Sequence, residues 1–476
     1  MKAFISFAKT VIGHLHIQKN IPCEDSSDNF SDQEGRYHIA IVADGHGDPA
    51  CFRSEIGSQI AVEVSKASLQ NFAEMFFSSE SNMQSKLAFP KERRQAMKQL
   101  TDFIISQWTS RVLQHLEENP PAEEDWEKIG DKKAEYLEGK HLEHIYGTTL
   151  IAALMVSNWL ILMQQGDGRC DVFYEDGTVD QPIPWDDRCF ENVTTSLCDE
   201  DAAQRIRSQV IDTSLYPVIA CYLGSDGVED SYRTMEGTHV FYRELSCELV
   251  ERPGTEFEDY LEGYFPDFSR NGSGDDVSVA GIVDVEGLRA HVQEFRNSAS
   301  AYELNEEFER HNARLISMSR KHGILKRRLD EAQAAYETCK YTCDNMRNKL
   351  LSLEKYLQEK RAKDKTTNSG DADGGSSARD RELAQPGFRF PVRKRSEKTE
   401  GNWQRLKDRA EQLRSQLEQE RQNCDSLREK YEEAEQEFKE YDELHQQIQG
   451  ECDRVRSQMD RISERTGENI PDEEQR

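Results

Sequence analysis

The sequence predicts an α+β domain with antiparallel sheets and helices packed outside them, followed by a long coiled coil. Before residue 290, short runs of β-branched and aromatic residues alternate with helical runs, and tight polar turns such as Ser157-Asn158 separate neighbouring strands. After that point, charged residues and glutamine dominate, and apolar residues recur at spacings of three and four. The predicted divisions are a domain over 1–287, helical arms over 288–361 and 403–466, a disordered linker over 362–402 and an acidic tail over 467–476.

The elements of the first domain follow from the same patterns. Strands are expected near 3–7, 37–43, 148–156, 159–165, 170–175, 217–223 and 277–283. Helices are expected over 50–76, 92–118, 131–144, 199–209, 237–250 and 255–264. The segment 80–146 is rich in helix-forming residues and should form a helical crossover between strands.

The composition excludes several classes of protein. Among 476 residues, 61 lysines and arginines face 90 acids, and the net charge of −29 argues against a surface for nucleic acid or an anionic membrane. No stretch reaches the ~18 uninterrupted apolar residues that span a membrane. The opening MKAFISFAKTVIG is expected to be a strand, not a secretory signal. The eleven cysteines lack CxxC pairs, so we interpret them as reduced cytoplasmic thiols and not as disulfides or zinc ligands.

One strand end carries the first candidate site. The run YHIAIVADGHG at 37–47 is a buried strand that stops at Asp44, where Gly45 lets the backbone approach a ligand closely. A carboxylate beside a free carbonyl suits a hard divalent cation such as Mg²⁺ or Mn²⁺. His46 adds a group that can carry a proton near neutral pH. Taken alone, however, an Asp-Gly pair after a strand is an ordinary turn.

Further acidic turns are attached to other apolar strands, before or after them. They are CEDSSDNF with Glu24 and Asp25, QQGDGRCDV with Asp167, LGSDGVEDS with Asp226, and SGDDVSVAGIV with Asp275 and Asp276. Carboxylates that converge at one end of a sheet repel one another unless cations lie between them.

In order, the motifs ED, DGHG, GTT, GD, SDG and D[ND]xS resemble those of the metal-dependent serine/threonine protein phosphatases of the 2C (PPM) type, over residues 1–285. The stretch GHLHIQKNIPCED is similar to a bacterial branch of that family. The resemblance implies two packed antiparallel sheets flanked by helices, with a site for two Mn²⁺ or Mg²⁺ ions, and a weaker third, at one end. It also implies hydrolysis of phosphoserine and phosphothreonine on proteins by a water activated between two cations.

The resemblance also implies a role for each site residue. Asp44 would bridge both metals, and the Gly45 carbonyl would bind one of them. Asp226 and Asp275 would complete the other ligand set, Glu24 would hold a water, and Asp167 would serve the third metal. His46 would protonate the departing oxygen; alternatively, it would form a hydrogen bond to a ligating carboxylate.

One departure from the family pattern leaves an alternative open. At the position of Asn20, many relatives have an arginine that binds the substrate phosphate. His16 or Lys19 would have to substitute, and a lysine lacks the bidentate fork of arginine. The retained aspartates favour an active enzyme. The alternative is a catalytically weak scaffold, or a regulator that binds phosphopeptides and acts through its coiled coil.

The two apolar seams, over 304–357 and 403–462, must each find a partner. Their polar members His311, His322, Glu420 and His445 are interpreted as register markers and not as metal ligands. A flexible 362–402 linker spans roughly 35 Å, less than the roughly 80 Å of one arm, which favours an antiparallel hairpin projecting from the phosphatase domain, with Leu357 near Leu406. A homodimer through parallel arms is the rival. The hairpin would bind a protein partner.

Overall fold

The computed structural model describes residues 3–78, 82–129, 133, 136, 138–190, 193–232, 234–367 and 397–466. The chain forms two compact units. Unit 1 comprises residues 1–303 with 462–476, and unit 2 comprises residues 304–461. Most of the expected linker, and the acidic tail, lie outside the described residues.

Unit 1 contains two antiparallel sheets. The strands are β1 (Phe4–Val11), β2 (Ser26–Ser31), β3 (Tyr37–Ala43), β4 (Leu150–Val156), β5 (Trp159–Gln165), β6 (Arg169–Tyr174), β7 (Val179–Asp180), β8 (Arg207–Asp212), β9 (Val218–Gly224) and β10 (Val277–Asp284). One sheet has the order β1-β10-β9-β6-β7 and the other β2-β3-β4-β5-β8. The predicted fold of two antiparallel sheets is therefore confirmed.

The helices lie between and after these strands. They are α1 (His14–Lys19), α2 (Ser54–Glu74), α3 (Met83–Ala88), α4 (Pro90–Glu118), α5 (Glu123–Glu127), α6 (Ala202–Arg205), α7 (Asp226–Glu229), α8 (Met235–Glu251), α9 (Thr255–Asn271), α10 (Val285–Thr367) and α11 (Glu397–Thr466). Short 3₁₀ turns occupy Pro49–Cys51 and Leu142–Tyr146. Among the described residues, none of these helices has the length and apolar character needed to cross a bilayer.

The core of unit 1 consists of three hydrophobic clusters, and β3 contributes side chains to two of them. Its alternate residues Ile39 and Ile41 pack against the side where α2 and α4 lie, for example with Trp108. Ala40 and Val42 point to the opposite face and pack between the two sheets. On the outer face of the other sheet, side chains of β9 and β10 pack with α8, α9 and the start of α10. Because both faces of β3 are covered, the whole strand is buried.

The structure corrects the sequence-based prediction at the sheet edges. The strands β2, β7 and β8 were not predicted, and each lies at the edge of its sheet. Their sequences, SSDNFS, VD and RSQVID, contain few apolar residues, so they lack the apolar run that predicts a strand. The helix predicted over 199–209 is wrong beyond Arg205, because Arg207–Asp212 pairs with β5 as a strand. Part of the helix predicted over 131–144 lies outside the described residues.

Unit 2 consists of two long helices that run antiparallel. Nε2 of His322 on α10 lies 2.7 Å from Oδ1 of Asp442 on α11. Further along α10, Glu354 accepts a hydrogen bond of 2.6 Å from Arg414, which lies earlier on α11. Because the partner's number falls as the α10 number rises, the predicted antiparallel pairing is confirmed. Leu357 packs against a small apolar cluster that includes Ala410 on α11.

Candidate metal centre

The antiparallel register brings the acidic motifs to one end of the two sheets. Ala43, the last residue of β3, pairs with Ser26, the first residue of β2. In the other sheet, Gly224 at the end of β9 pairs with Arg169 at the start of β6 and with Val279 near the start of β10. The turns that precede or follow these strand ends carry the predicted acidic residues, so the motifs meet although they are far apart in sequence.

Three of the predicted carboxylates form the centre of this site. Asp44 follows β3, Asp167 lies between β5 and β6, and Asp226 begins α7. One carboxylate oxygen from each lies within 4.8 Å of the other two. Burial, reinforced by the charges of Asp226 and Asp25, raises the pKa of Asp44 well above its ordinary value. Burial and the charge of Asp167 raise the pKa of Asp226 to about 7. The site therefore holds more negative charge than it can stabilise by itself.

The backbone around Asp44 is fixed by hydrogen bonds to Thr149, immediately before β4. The Asp44 amide donates to Oγ1 of Thr149 at 3.0 Å, and the Thr149 amide donates back to the Asp44 carbonyl at 2.8 Å. A Cβ atom on Gly45 would lie 2.5 Å from the carbonyl oxygen of Glu24 and 2.9 Å from the Ser54 backbone. Only glycine fits this close approach of three chain segments.

Glu24 and Asp25 lie immediately before β2. Oε1 of Glu24 accepts a hydrogen bond of 2.8 Å from the hydroxyl of Ser54 at the start of α2, which orients the carboxylate. Burial raises the pKa of Glu24. Asp25 is buried more deeply, and burial together with the charges of Asp276 and Asp226 raises its pKa well above its ordinary value. When ionised, both carboxyl groups thus add to the negative charge of the site.

His16, on α1, occupies the side of the site formed by the turn before β10. Its Nδ1 lies 3.0 Å from Oδ1 of Asp276, and its Nε2 lies 3.6 Å from Asp275 and 3.9 Å from Glu24. The close polar contact with Asp276 outweighs burial and raises the pKa of His16 to about 8, so the imidazole is largely protonated at neutral pH. The described contacts bring His16 to the carboxylates, whereas Lys19 is exposed at the end of the helix.

Asp276 organises this corner of the site. It accepts hydrogen bonds from the amides of Gly13 at 2.6 Å and Glu24 at 2.7 Å. Although burial opposes it, the contact with His16 and the hydrogen bonds from these amides hold the pKa of Asp276 below its ordinary value. Asp275 is about half exposed, and its charge acts on Asp226 although it lies outside the central group of three carboxylates.

His46 follows Asp44 by two residues and lies against the turn before β4. Its amide donates to the Gly147 carbonyl at 3.1 Å. Burial lowers the pKa of His46 to about 4, so its imidazole is neutral at pH 7. Within the part of the chain that the structure describes, its buried Nε2 has no hydrogen-bond partner.

Sequence reasoning missed two residues of the site. Asp230, just after α7, has a pKa raised by burial and by the charges of Asp167 and Asp275, which places it in the same electrostatic cluster. Its position four residues after Asp226, one helical turn on, was the available signal. Ser54 gave no signal, because it meets Glu24 only through the tertiary fold.

A dense group of carboxylate oxygens at one end of a two-sheet domain defines a protein that depends on hard divalent cations. The family model described as protein phosphatase 2C matches residues 12–262, which is more than half of the 476-residue chain. The chain therefore belongs to the protein phosphatase 2C family, and it is a metal-dependent protein serine/threonine phosphatase.

Solved structures with similarity to the chain include bacterial phosphatases. A bacterial serine phosphatase has 17% identity, covers 59% of this chain and 98% of its own, and gives a TM-score of 0.36. Serine/threonine phosphatase Stp1 from Staphylococcus aureus has 17% identity, with coverages of 60% and 95% and a TM-score of 0.36. The catalytic domain of the phosphatase PstP, in complex with two manganese ions, has 18% identity, with coverages of 59% and 97% and a TM-score of 0.33. Among curated proteins, no match was found.

Proposed function

We propose that unit 1 hydrolyses phosphoserine and phosphothreonine on proteins with two Mn²⁺ or Mg²⁺ ions, and a third weaker one, held at the carboxylate site. The observation that carries this proposal is the approach of Asp44, Asp167 and Asp226 to within 4.8 Å of one another. The raised pKa values of Asp44 and Asp226 support it, since buried carboxylates at this spacing need a cation to remain ionised at neutral pH.

The donor set fits hard divalent ions. Asp44, Asp226 and Asp275 with the Gly45 carbonyl would hold two ions, Asp167 would hold the third, and Asp230 adds charge beside it. When bound, such ions screen the charge of a phosphate and lower the pKa of a water. Ser54 orients the Glu24 carboxylate, which we assign to hold a water through a hydrogen bond.

His16 is our candidate for the phosphate contact that Asn20 does not make. Its pKa of about 8 supports this role, because a protonated imidazole attracts a phosphate dianion. Asp276 holds Nδ1 at 3.0 Å and leaves Nε2 directed to the acidic side of the site. Lys19 stays a second candidate, and its exposed position gives it less support.

His46 stays our candidate for the proton donor to the departing serine or threonine oxygen, through Nε2. Its unpartnered Nε2 supports this assignment. The lowered pKa favours the alternative, in which a neutral imidazole only orients a neighbouring group by hydrogen bonding. Only the proton-donor role predicts that loss of His46 slows hydrolysis more for a poor leaving group than for a good one.

Phosphate release from phosphoserine and phosphothreonine peptides tests the proposed function. We expect turnover with added Mn²⁺ or Mg²⁺ and none in excess chelator. Asp44→Asn should lose most of the activity, whereas Asp187→Asn, at an exposed aspartate, should retain it. Full turnover in excess chelator contradicts the proposal. Normal metal affinity without turnover would instead favour the phosphopeptide-binding scaffold.

For unit 2 we propose a role in binding a protein partner. The two seams pair with each other, while Ile316, Ile324, Tyr341 and Leu351 remain exposed on α10 and are available to another protein. A photoreactive amino acid at Tyr341 in cells should give one adduct of defined mass. Adducts of the chain with itself would favour the homodimer, and no adduct would contradict the proposal.

The free cysteines further support a reducing, cytoplasmic location.

A further inference from the structure

Three thiols and a carboxylate face one another between the helices of unit 2. Cys339 and Cys343 lie four residues apart on α10, and Glu420 and Cys424 lie four residues apart on α11. The Sγ atoms of the three cysteines all lie within 4.8 Å of one another. The Cys339 thiol donates to Oε1 of Glu420 at 3.2 Å. Each helix therefore contributes two potential ligand groups from one face.

These four residues occupy positions in the seam between the helices where apolar side chains pack elsewhere. On one side of them the rings of Tyr336 and Tyr431 stack with their centres 6.1 Å apart. On the other side is an apolar cluster around Leu350 and Leu417. Cys339 is 5% exposed, so its sulfur lies inside the helical pair and not on its surface.

The three sulfur atoms lie close enough together to bind one metal ion. A Zn²⁺ ion with Zn–S bonds of about 2.3 Å holds its ligand sulfurs about 3.8 Å apart. The sulfur atoms of Cys339, Cys343 and Cys424 lie within 4.8 Å of one another, and the Cys339 sulfur lies 3.2 Å from Oε1 of Glu420, so small side-chain rotations would bring these groups to that spacing. We propose that Cys339, Cys343, Cys424 and Glu420 form a Zn²⁺ site that joins α10 to α11.

The choice of Zn²⁺ follows from the ligand types. Thiolates prefer Zn²⁺ to the hard ions Mg²⁺ and Mn²⁺, which prefer oxygen ligands. The Nδ2 group of Asn423 lies 3.7 Å from the Cys339 sulfur, where it can donate to a thiolate and so support its charge. The chain would thus carry two kinds of cation, with hard ions in unit 1 and Zn²⁺ in unit 2.

A bound ion would fix the alignment of the two helices at this level. An antiparallel pair can slip along its seam by one helical turn, and four ligands from two helices hold only one register. The lack of CxxC spacing argued against zinc in the sequence. A helix presents two ligands on one face at a spacing of four, and the other half of this site comes from a distant part of the chain.

The simpler explanation is that small thiols fill the seam as apolar side chains do. Glu420 distinguishes the two explanations, because a partly buried carboxylate that accepts a hydrogen bond from the Cys339 thiol is not an apolar filler. A disulfide between the helices is the other competing state. Both leave the protein without a thiolate metal site, so metal binding separates them from the proposal.

Titration of the full-length, reduced, metal-free protein with Co²⁺ tests the site. Co²⁺ replaces Zn²⁺ in thiolate sites, and its near-ultraviolet charge-transfer absorption reports bonds to sulfur, which the oxygen ligands of unit 1 cannot give. We expect this absorption to saturate at one equivalent and to disappear when Zn²⁺ is added. Absence of the absorption in protein with free thiols overturns the proposal.

Matched variants locate the ion. Cys343→Ser and Cys424→Ser should lose the absorption, while Cys452→Ser, at another buried seam cysteine, should keep it. Persistence of the absorption in both of the first two variants also overturns the proposal. Glu420→Gln should retain it with affinity lower by at least about tenfold, since losing a direct ligand should cost no less than losing a supporting contact. Unchanged affinity removes Glu420 from the site. Helical circular dichroism verifies that each variant is folded.

Discussion

Replacing Asp226 by asparagine should have opposite effects on catalysis and on the stability of the metal-free protein. The substitution removes a proposed metal ligand, so activity with Mn²⁺ should fall to a small fraction of that of the original chain. In the absence of cations, the same carboxylate is destabilising, because it is partly buried beside Asp44 and Asp167.

The magnitude follows from the pKa of Asp226, which rises from its ordinary 3.8 to about 7 in the folded chain. At about 1.4 kcal/mol per pKa unit, this shift corresponds to about 4 kcal/mol. The raised pKa means that the folded state favours the protonated carboxyl. Its contribution to stability is fully present below about pH 4 and is lost as the pH rises through about 7. The metal-free variant should therefore match the original chain near pH 4 and exceed it by about 4 kcal/mol at pH 8.

Urea unfolding in excess chelator, followed by tryptophan fluorescence across this pH range, measures the difference. Titrations of groups remote from Asp226 cancel between the two proteins, and the smaller rise in the pKa of Asp44 after loss of the Asp226 charge acts in the same direction as the predicted difference. The exposed Asp187→Asn substitution is the control and should leave stability unchanged at every pH. A constant difference between Asp226→Asn and the original chain from pH 4 to 8, or a variant that is less stable at pH 8, would refute the electrostatic argument.

Three further predictions concern single positions. Gly45→Ala would put a Cβ atom 2.5 Å from a backbone carbonyl oxygen, so it should lower the unfolding free energy by about 1–3 kcal/mol and reduce turnover. The control Gly263→Ala places its Cβ atom in open space and should do neither. Equal effects of the two substitutions would rule out the steric argument. His46→Ala should slow hydrolysis of alkyl phosphates more than that of aryl phosphates, since only a poor leaving group needs a proton; equal losses would exclude His46 as the proton donor. Spin labels at Leu353 and Ala410, in labelled chains diluted with unlabelled protein, should lie roughly 10 Å apart; several tens of ångströms would exclude the hairpin.

The sequence alone predicted those structural features that depend on the residues of a single element. The buried strand Tyr37–Ala43 was predicted with its observed bounds, because it consists of β-branched and apolar residues and ends at glycine. The antiparallel hairpin also followed from local spacing and linker length. In contrast, the edge strand Ser26–Ser31 is polar and forms only because β3 offers a partner.

The rest of the site depends on tertiary proximity that no local pattern encodes. The motifs located Asp44 and Asp226, but not the hydroxyl of Ser54 that orients Glu24. Similarly, the spacing of Cys339 and Cys343 places both on one helical face, and the expected pairing of Leu357 with Leu406 places Cys424 at the level of Cys339, yet no local pattern marked these thiols as a cluster.

Mn²⁺ binding to the metal-free chain tests the central claim most directly, because the claim is that the carboxylates around Asp44 hold the catalytic ions. Calorimetric titration should show at least two bound ions for the original chain and for Asp187→Asn. Asp44→Asn should lose the tight binding, since it removes the group proposed to bridge two ions. Mn²⁺ binding of the same number and affinity in Asp44→Asn as in the original chain would contradict this account of the site.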